Sequence, residues 1–104
     1  MDSEKRQGPR SSAIAEVSFD HKGLHFHGRI NDLSPGGMYI DTINPLPEGS
    51  SISFQFSLPG DESGSPISGE GRVVWMAHMQ GMGVGFTRMS DDDRDLLKSY
   101  LSRK

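Results

Sequence analysis

The chain has 104 residues, a formal net charge of −3 and no cysteine. This length suits one domain with one core, and the lack of cysteine excludes disulfides, thiolate zinc sites and cysteine nucleophiles. The slight acidity argues against a protein that coats DNA or RNA. No apolar run approaches the ~20 residues that span a bilayer, and no apolar segment follows the charged N-terminus as in a secretory signal. We therefore expect a cytoplasmic protein that does not insert into a membrane.

The first half of the chain predicts an arm and three strands. Residues 1–10 show no apolar period and are interpreted as a flexible N-terminal arm. Apolar residues then alternate over 13–19, and a second alternating stretch runs over about 24–33, so these two strands should form a hairpin. Residues 32–37 are a tight turn by composition, and a third strand follows over 38–40.

The second half predicts three more strands and a helix. Residues 51–58 alternate strictly between apolar and polar, a fifth strand follows over 67–79, and a sixth over 83–87. Ser90 is placed to cap a helix, and the residues after it carry one apolar stripe at helical spacing. An amphipathic C-terminal helix is therefore predicted.

Six short strands and one terminal helix predict a mainly all-β fold, a six-stranded antiparallel β-barrel with a C-terminal α-helix. Closure of the barrel removes the exposed strand edges that an open sheet of this size would leave. The helix is expected to cover one open end of the barrel. No internal repeat or domain boundary is evident, so residues 11–104 are predicted to form a single domain.

Two arginines in the predicted arm form the first half of a candidate ligand site. Arg6 and Arg10 have the spacing R-x-x-x-R. A guanidinium fork binds a phosphate in two places or pairs with O6 and N7 of a guanine edge. The spacing alone is common in charged, solvated tails. The arginines therefore indicate a ligand site only together with a second motif.

The second half is the turn with the pattern D-x-S-x-x-G. The carboxylate of Asp32 can accept hydrogen bonds from the N1 and N2 donors of guanine, and Ser34 can bond either a base or the backbone. Gly36 and Gly37 allow close backbone approach and a positive φ. Cations for phosphates beside an acceptor for guanine predict a guanine nucleotide site.

The two motifs, in this order, resemble those of the PilZ domain, the bacterial receptor module for cyclic diguanylate (c-di-GMP). The stretches 71–75 (GRVVW) and 81–86 (GMGVGF) add to the resemblance, which runs from Arg6 to the C-terminal helix. It implies the six-stranded barrel and a c-di-GMP site. The residues matched are Arg6, Arg10, Asp32, Ser34 and Gly37, with Gly36 in the same turn. Many members carry a denser basic run around the first arginine, whereas in this chain only Lys5 precedes Arg6. Lys5 is a further candidate ligand-binding residue.

The resemblance implies a receptor that is not an enzyme and needs no cofactor beyond its ligand. Its arm would become ordered on c-di-GMP binding, and a monomer or weak dimer would then signal to a separate partner protein in motility or biofilm regulation. The alternative is a nucleotide-independent interaction module of the same fold, with a type IV pilus or flagellar motor partner. A barrel for single-stranded nucleic acid is disfavoured by the acidic balance. The nucleophile elbow, the P-loop and the dinucleotide fingerprint are all missing.

Several other residues allow two interpretations. Trp75, the single tryptophan, is assigned to the barrel core, with stacking on a guanine at the barrel rim as the alternative. His25 and His27 share one strand face, and since a third metal ligand is not evident they are interpreted as surface histidines. The acidic run 91–93 fits the first turn of a helix better than a metal site.

Overall fold

The computed structural model describes residues 15–59 and 66–102 and contains six strands and one helix in that part of the chain. The predicted arm, including Lys5, Arg6 and Arg10, lies outside the described residues. The elements are β1 (Ala15–His21), β2 (Leu24–Ser34), β3 (Gly37–Asp41), β4 (Ser51–Phe56), β5 (Ile67–Ala77), β6 (Gly81–Met89) and α1 (Asp91–Ser102).

The six strands form a closed antiparallel barrel in the order β1-β2-β3-β6-β5-β4. Closure comes from β1 and β4, in which Val17 lies opposite Phe56 and Phe19 opposite Phe54. All of the strand pairs are antiparallel, as the alternating stretches predicted. The predicted six-stranded barrel with a C-terminal helix is therefore confirmed.

The hairpin turns set where the strands end. In the β1–β2 turn, Lys22 and Gly23 have φ values of 51° and 82°, the positive values that a two-residue hairpin turn matching the twist of its strands requires. In the β5–β6 turn, Met79 has a φ of 61°. The prediction that the fifth strand runs to residue 79 was therefore wrong, because the left-handed conformation at Met79 cannot continue a strand; β5 ends at Ala77.

The core follows the alternation in the sequence. In β4, Ile52, Phe54 and Phe56 are each 3% exposed and alternate with exposed polar residues. Val17 and Phe19 of β1 face them from the neighbouring strand. Burial of these side chains is the main favourable contribution to the stability of the barrel.

Helix α1 begins with the predicted cap and packs against the core. The backbone N–H of Asp93 donates to Ser90 Oγ at 3.1 Å, and Asp93 Oδ2 accepts a bond from the backbone N–H of Ser68 at 3.2 Å. Leu97 is fully buried in the core cluster. Within the described residues, no helix has the length and apolar character needed to cross a membrane.

Candidate functional site

An open groove of about 710 Å³ lies on the outside of the barrel, where the β2–β3 turn meets β5 and β6. Its volume falls within the range of about 300–1,000 Å³ that is usual for small-molecule sites. The predicted turn residues Asp32, Ser34, Gly36 and Gly37 line it, together with Trp75. The fold therefore brings the predicted turn and the predicted aromatic together at one place.

Hydrogen bonds define the shape of the β2–β3 turn. The Ser34 hydroxyl donates to the carbonyl oxygen of Gly37 and accepts from the backbone N–H of Gly37, both at 3.2 Å. The backbone N–H of Phe86 in β6 donates to the carbonyl oxygen of Gly36 at 2.9 Å. Of the two roles predicted for Ser34, the structure shows the bond to the backbone. Together these hydrogen bonds close the turn and connect it to β6.

Close approach explains one of the two glycines of the turn, Gly37, and left-handed geometry explains neither. Among the described glycines, only Gly23 and Gly49 have a positive φ, so neither Gly36 nor Gly37 uses the positive φ that glycine allows. A Cβ at Gly37 would collide with the backbone oxygen of Val84, whereas a Cβ at Gly36 would meet nothing within 4 Å. Gly37 is thus required because β3 and β6 pair closely at this point.

Trp75 lies on the outer face of the barrel, and its assignment to the core was wrong. The β5–β6 register shifts between Val73 and Trp75, so one extra residue enters β5 at a bulge. Val73 faces inward, whereas Val74 and Trp75 are 57% and 46% exposed. The Trp75 ring stacks on Tyr39 of β3, with the ring centroids 5.4 Å apart and the planes at 21°.

Five outward or bulge residues of the groove were missed by the sequence analysis. Asn31 lies where the β2–β3 register shifts, and its Oδ1 is buried with no hydrogen-bond partner among the described residues. A signal for Tyr39, Gly83 and Gly85 was available, since Tyr39 alternates with the buried Met38 and Ile40 and the glycines of 81–86 alternate within a strand. The missed residues are Asn31, Tyr39, Val74, Gly83 and Gly85.

The described lining of the groove carries a negative charge and no positive one. Asp32, which is exposed, is the only charged residue that lines it in the described part of the chain. No lysine or arginine among residues 15–59 and 66–102 contributes to the lining. The described groove therefore offers hydrogen-bond acceptors and aromatic surface, but no side-chain cation for a phosphate.

The histidines of β2 lie on the exposed outer surface, away from this groove. His25 Nδ1 lies 2.5 Å from Asp20 Oδ1, and the rings of His25 and His27 meet edge to face with centroids 4.8 Å apart. Within the described ranges, no group of three or more potential metal-ligating side chains is found. The exposure of both histidines agrees with their interpretation as surface residues.

Comparison with known proteins agrees with this architecture. The family model of the PilZ domain matches residues 4–103, while a search of curated proteins finds no match. The fold is similar to the Bacillus subtilis inhibitor of motility MotI/DgrA, with a TM-score of 0.78 and 18% identity, covering 88% of this chain but only 46% of that one. It is also similar to the PilZ domain of CeSA from a cellulose-synthesizing bacterium, with a TM-score of 0.62 and 17% identity over 86% of this chain and 94% of that one. Because the family model spans nearly all of the sequence, the chain belongs to the PilZ domain family, a family of c-di-GMP receptors.

Proposed function

We propose that this chain is a non-enzymatic receptor that binds c-di-GMP in the groove beside the β2–β3 turn and signals to a separate partner protein. One observation carries the proposal: the D-x-S-x-x-G turn and an exposed aromatic stack line the same groove. The groove lacks a cation within the described residues, and the sequence supplies two arginines upstream of β1. The turn and the arginines are thus complementary halves of one nucleotide site.

The first residue of β1 lies close enough to the groove for a preceding segment to reach it. Ala15, the first residue of β1, pairs with Ile30 of β2. Asp32 lies two residues further along β2, about 7 Å at the rise of a strand. Arg10 precedes Ala15 by five residues, and such a segment spans up to about 17 Å when extended. Chain length therefore permits the Arg10 guanidinium to reach a ligand held by Asp32.

Each group has a chemical role in this proposal. The Asp32 carboxylate accepts hydrogen bonds from guanine N1 and N2, and the exposed face of Trp75 stacks on a base. Arg6 and Arg10 bind the phosphates and a guanine edge, with Lys5 adding positive charge nearby. The arm loses conformational entropy when it becomes ordered. The favourable free energy of these charge-assisted contacts must be larger than that cost. The closed arm then changes the surface that a downstream protein meets.

Calorimetric titration of the folded protein with c-di-GMP tests the proposal. Asp32→Ala should weaken binding by about tenfold to a hundredfold, because a hydrogen bond to a charged group contributes about 1.5–3 kcal/mol. Asp41→Ala is the matched control, since Asp41 is an exposed aspartate that does not line the groove. The adenine analogue c-di-AMP lacks the two donors that Asp32 binds and should bind weakly to the unmutated protein.

The role of the arm is tested by a second matched pair. Arg10→Ala should weaken c-di-GMP binding at least tenfold, whereas Arg29→Ala, the same change of charge at an exposed position of β2 outside the groove, should not. Absence of binding heat at high micromolar c-di-GMP, from unmutated protein with the circular dichroism of a folded barrel, would overturn the proposal. Equal weakening by both arginine substitutions would show only a general effect of charge.

A second candidate function is a nucleotide-independent interaction module. Ile43 and Met79 are 73% and 64% exposed, and a hydrogen bond of 3.1 Å from Thr42 N–H to the carbonyl oxygen of Gln80 brings their loops together. The similar MotI/DgrA is named as an inhibitor of motility, which makes a motor component a candidate partner. In this case Arg10→Ala and Ser34→Ala would leave partner binding unchanged, whereas a receptor would lose its c-di-GMP-dependent binding.

A further inference from the structure

Strand β6 carries glycine at every outward position in its first half. Its sequence begins G-M-G-V-G-F, and Met82 and Val84 point inward with exposures of 0% and 2%. Alternate residues of a strand share a face, so Gly81, Gly83 and Gly85 together form a bare strip on the outside of the barrel. Glycine weakens a strand interior, and three in this arrangement require a physical reason.

Side chains from the two neighbouring strands cover this strip. A Cβ built on Gly83 would lie 2.5 Å from Trp75 Nε1 and 2.9 Å from Trp75 Cδ1. A Cβ on Gly81 would collide with the backbone oxygen of Ile40 and would also lie 2.5 Å from the Tyr39 hydroxyl oxygen. At Gly85 the nearest atom is Val74 Cγ1 at 3.6 Å, an ordinary van der Waals contact. The two rings therefore lie against the backbone only because Gly81 and Gly83 lack a side chain.

The same geometry sets the orientation of Trp75. Tyr39 and Trp75 both lie opposite Gly83, one from β3 and the other from β5. Their rings stack on each other as described above, with Trp75 lying over Gly83 and the Tyr39 hydroxyl over Gly81. Trp75 is thus supported from beneath by the backbone at Gly83 and from the side by Tyr39, while 46% of its surface stays exposed where it lines the groove.

We propose that Gly83 and Tyr39 are positioning residues that hold Trp75 as a platform on which a purine base of the ligand stacks. This inference rests on the proposed function, because the base is that of the nucleotide bound in the groove. An aromatic side chain held at a fixed angle stacks on a base without first losing rotational freedom. The role of Gly83 is therefore to leave space for the ring, and that of Tyr39 is to support it.

Gly83→Ala and Gly85→Ala form a matched pair of variants. Both add one methyl group to an outward position of β6, but only the first collides with the Trp75 ring. The atoms in the collision belong to a side chain and not to the backbone, so the ring should move while the barrel stays folded. Tyr39→Ala removes the lateral support, and Tyr39→Phe retains it.

The single tryptophan makes the test direct. Without ligand, Gly83→Ala and Tyr39→Ala should shift the emission of Trp75 and increase its quenching by acrylamide, while Gly85→Ala and Tyr39→Phe resemble the unmutated protein. Gly85 also lines the groove, so Gly85→Ala is a control only for the measurement without ligand, and Tyr39→Phe is the control for binding. On addition of c-di-GMP, the unmutated protein should show quenching of Trp75 emission. The first two variants should lose most of this quenching and bind c-di-GMP about tenfold more weakly by calorimetry.

The outcomes separate this inference from the proposed function. If the unmutated protein does not bind c-di-GMP, the proposed function fails and the platform has no ligand to hold. If it binds, but Gly83→Ala and Tyr39→Ala retain its emission, quenching and affinity, only the positioning role is overturned. Should Gly83→Ala prove unfolded by circular dichroism, the comparison of Tyr39→Ala with Tyr39→Phe decides the question.

Discussion

At the scale of single residues, Gly37 shows how one missing methyl group shapes the candidate site. Its backbone lies so close to Val84 that a Cβ would meet the carbonyl oxygen of that residue. A Cβ at the neighbouring Gly36 would meet no atom within 4 Å. Since neither residue has a positive φ, close packing of β3 on β6 is the physical requirement at Gly37, and it sets the position of the turn next to Asp32 and Ser34 at the end of β2.

We predict that Gly37→Ala destabilises the protein, whereas Gly36→Ala does not. The added methyl group at Gly37 meets backbone, which cannot turn aside as a side chain can, so the unfolding free energy should fall by about 1–3 kcal/mol. The change at Gly36 should stay within about 0.5 kcal/mol. Urea unfolding followed by circular dichroism measures both, and equal stabilities of the two variants would contradict the packing argument.

At the scale of elements, the start of α1 illustrates how a helix is attached to the barrel. Ser90 caps the helix through the backbone N–H of Asp93, and the Asp93 carboxylate in turn accepts a bond from the backbone of Ser68 in β5. The acidic residues of the first turn also complement the positive end of the helix dipole. One short polar segment thus begins the helix and fixes it to a strand.

Ser90→Ala should lower the unfolding free energy by about 1 kcal/mol, because the N–H of Asp93 loses its acceptor. Ser90→Thr supplies a hydroxyl at the same position and should restore most of the loss. Ser102→Ala is the control at the other end of the helix, where the hydroxyl donates to the carbonyl oxygen of Ser99. A loss from Ser102→Ala as large as that from Ser90→Ala would argue against a specific role of the cap.

At the scale of the whole molecule, the core depends on residues that are far apart in the sequence. The barrel closes when β1 pairs with β4, and α1 adds the fully buried Leu97 to the same core cluster. No residue of α1 lines the groove beside the β2–β3 turn. The contribution of α1 to the core and the groove proposed to bind the ligand therefore lie in different parts of the molecule.

This separation predicts that Leu97→Ala destabilises the fold without weakening c-di-GMP binding. A cavity left by a buried leucine costs about 2–5 kcal/mol. Leu24→Ala, the same substitution at a position that is 61% exposed, should have little effect on stability. Denaturant unfolding gives the stabilities, and calorimetry at a temperature where the variant is folded gives the affinity. Weaker binding by folded Leu97→Ala would show that the helix and the groove are coupled.

Much of the fold was accessible from the sequence, because it depends on local patterns. The alternation of apolar and polar residues at 51–58 indicated which side of β4 is buried, since successive side chains of a strand point to opposite faces. The serine followed by an acidic run marked the start of α1. The residues Asp32 to Gly37 marked a turn, which the structure shortens to Pro35 and Gly36 between β2 and β3, and the stretch lines a groove.

The parts that could not be predicted depend on strand register and on contacts between strands. A bulge in β5 turns Trp75 outward, although its neighbours in the sequence suggested a core position. The stacking of Trp75 on Tyr39 and the space above Gly83 join residues from three strands. The sequence by itself determined the barrel, the helix and the chemistry of the turn, because these follow from local periodicity and residue type. Only the tertiary structure decided which side chains surround that turn, because a register shift in one strand becomes visible only against its neighbours.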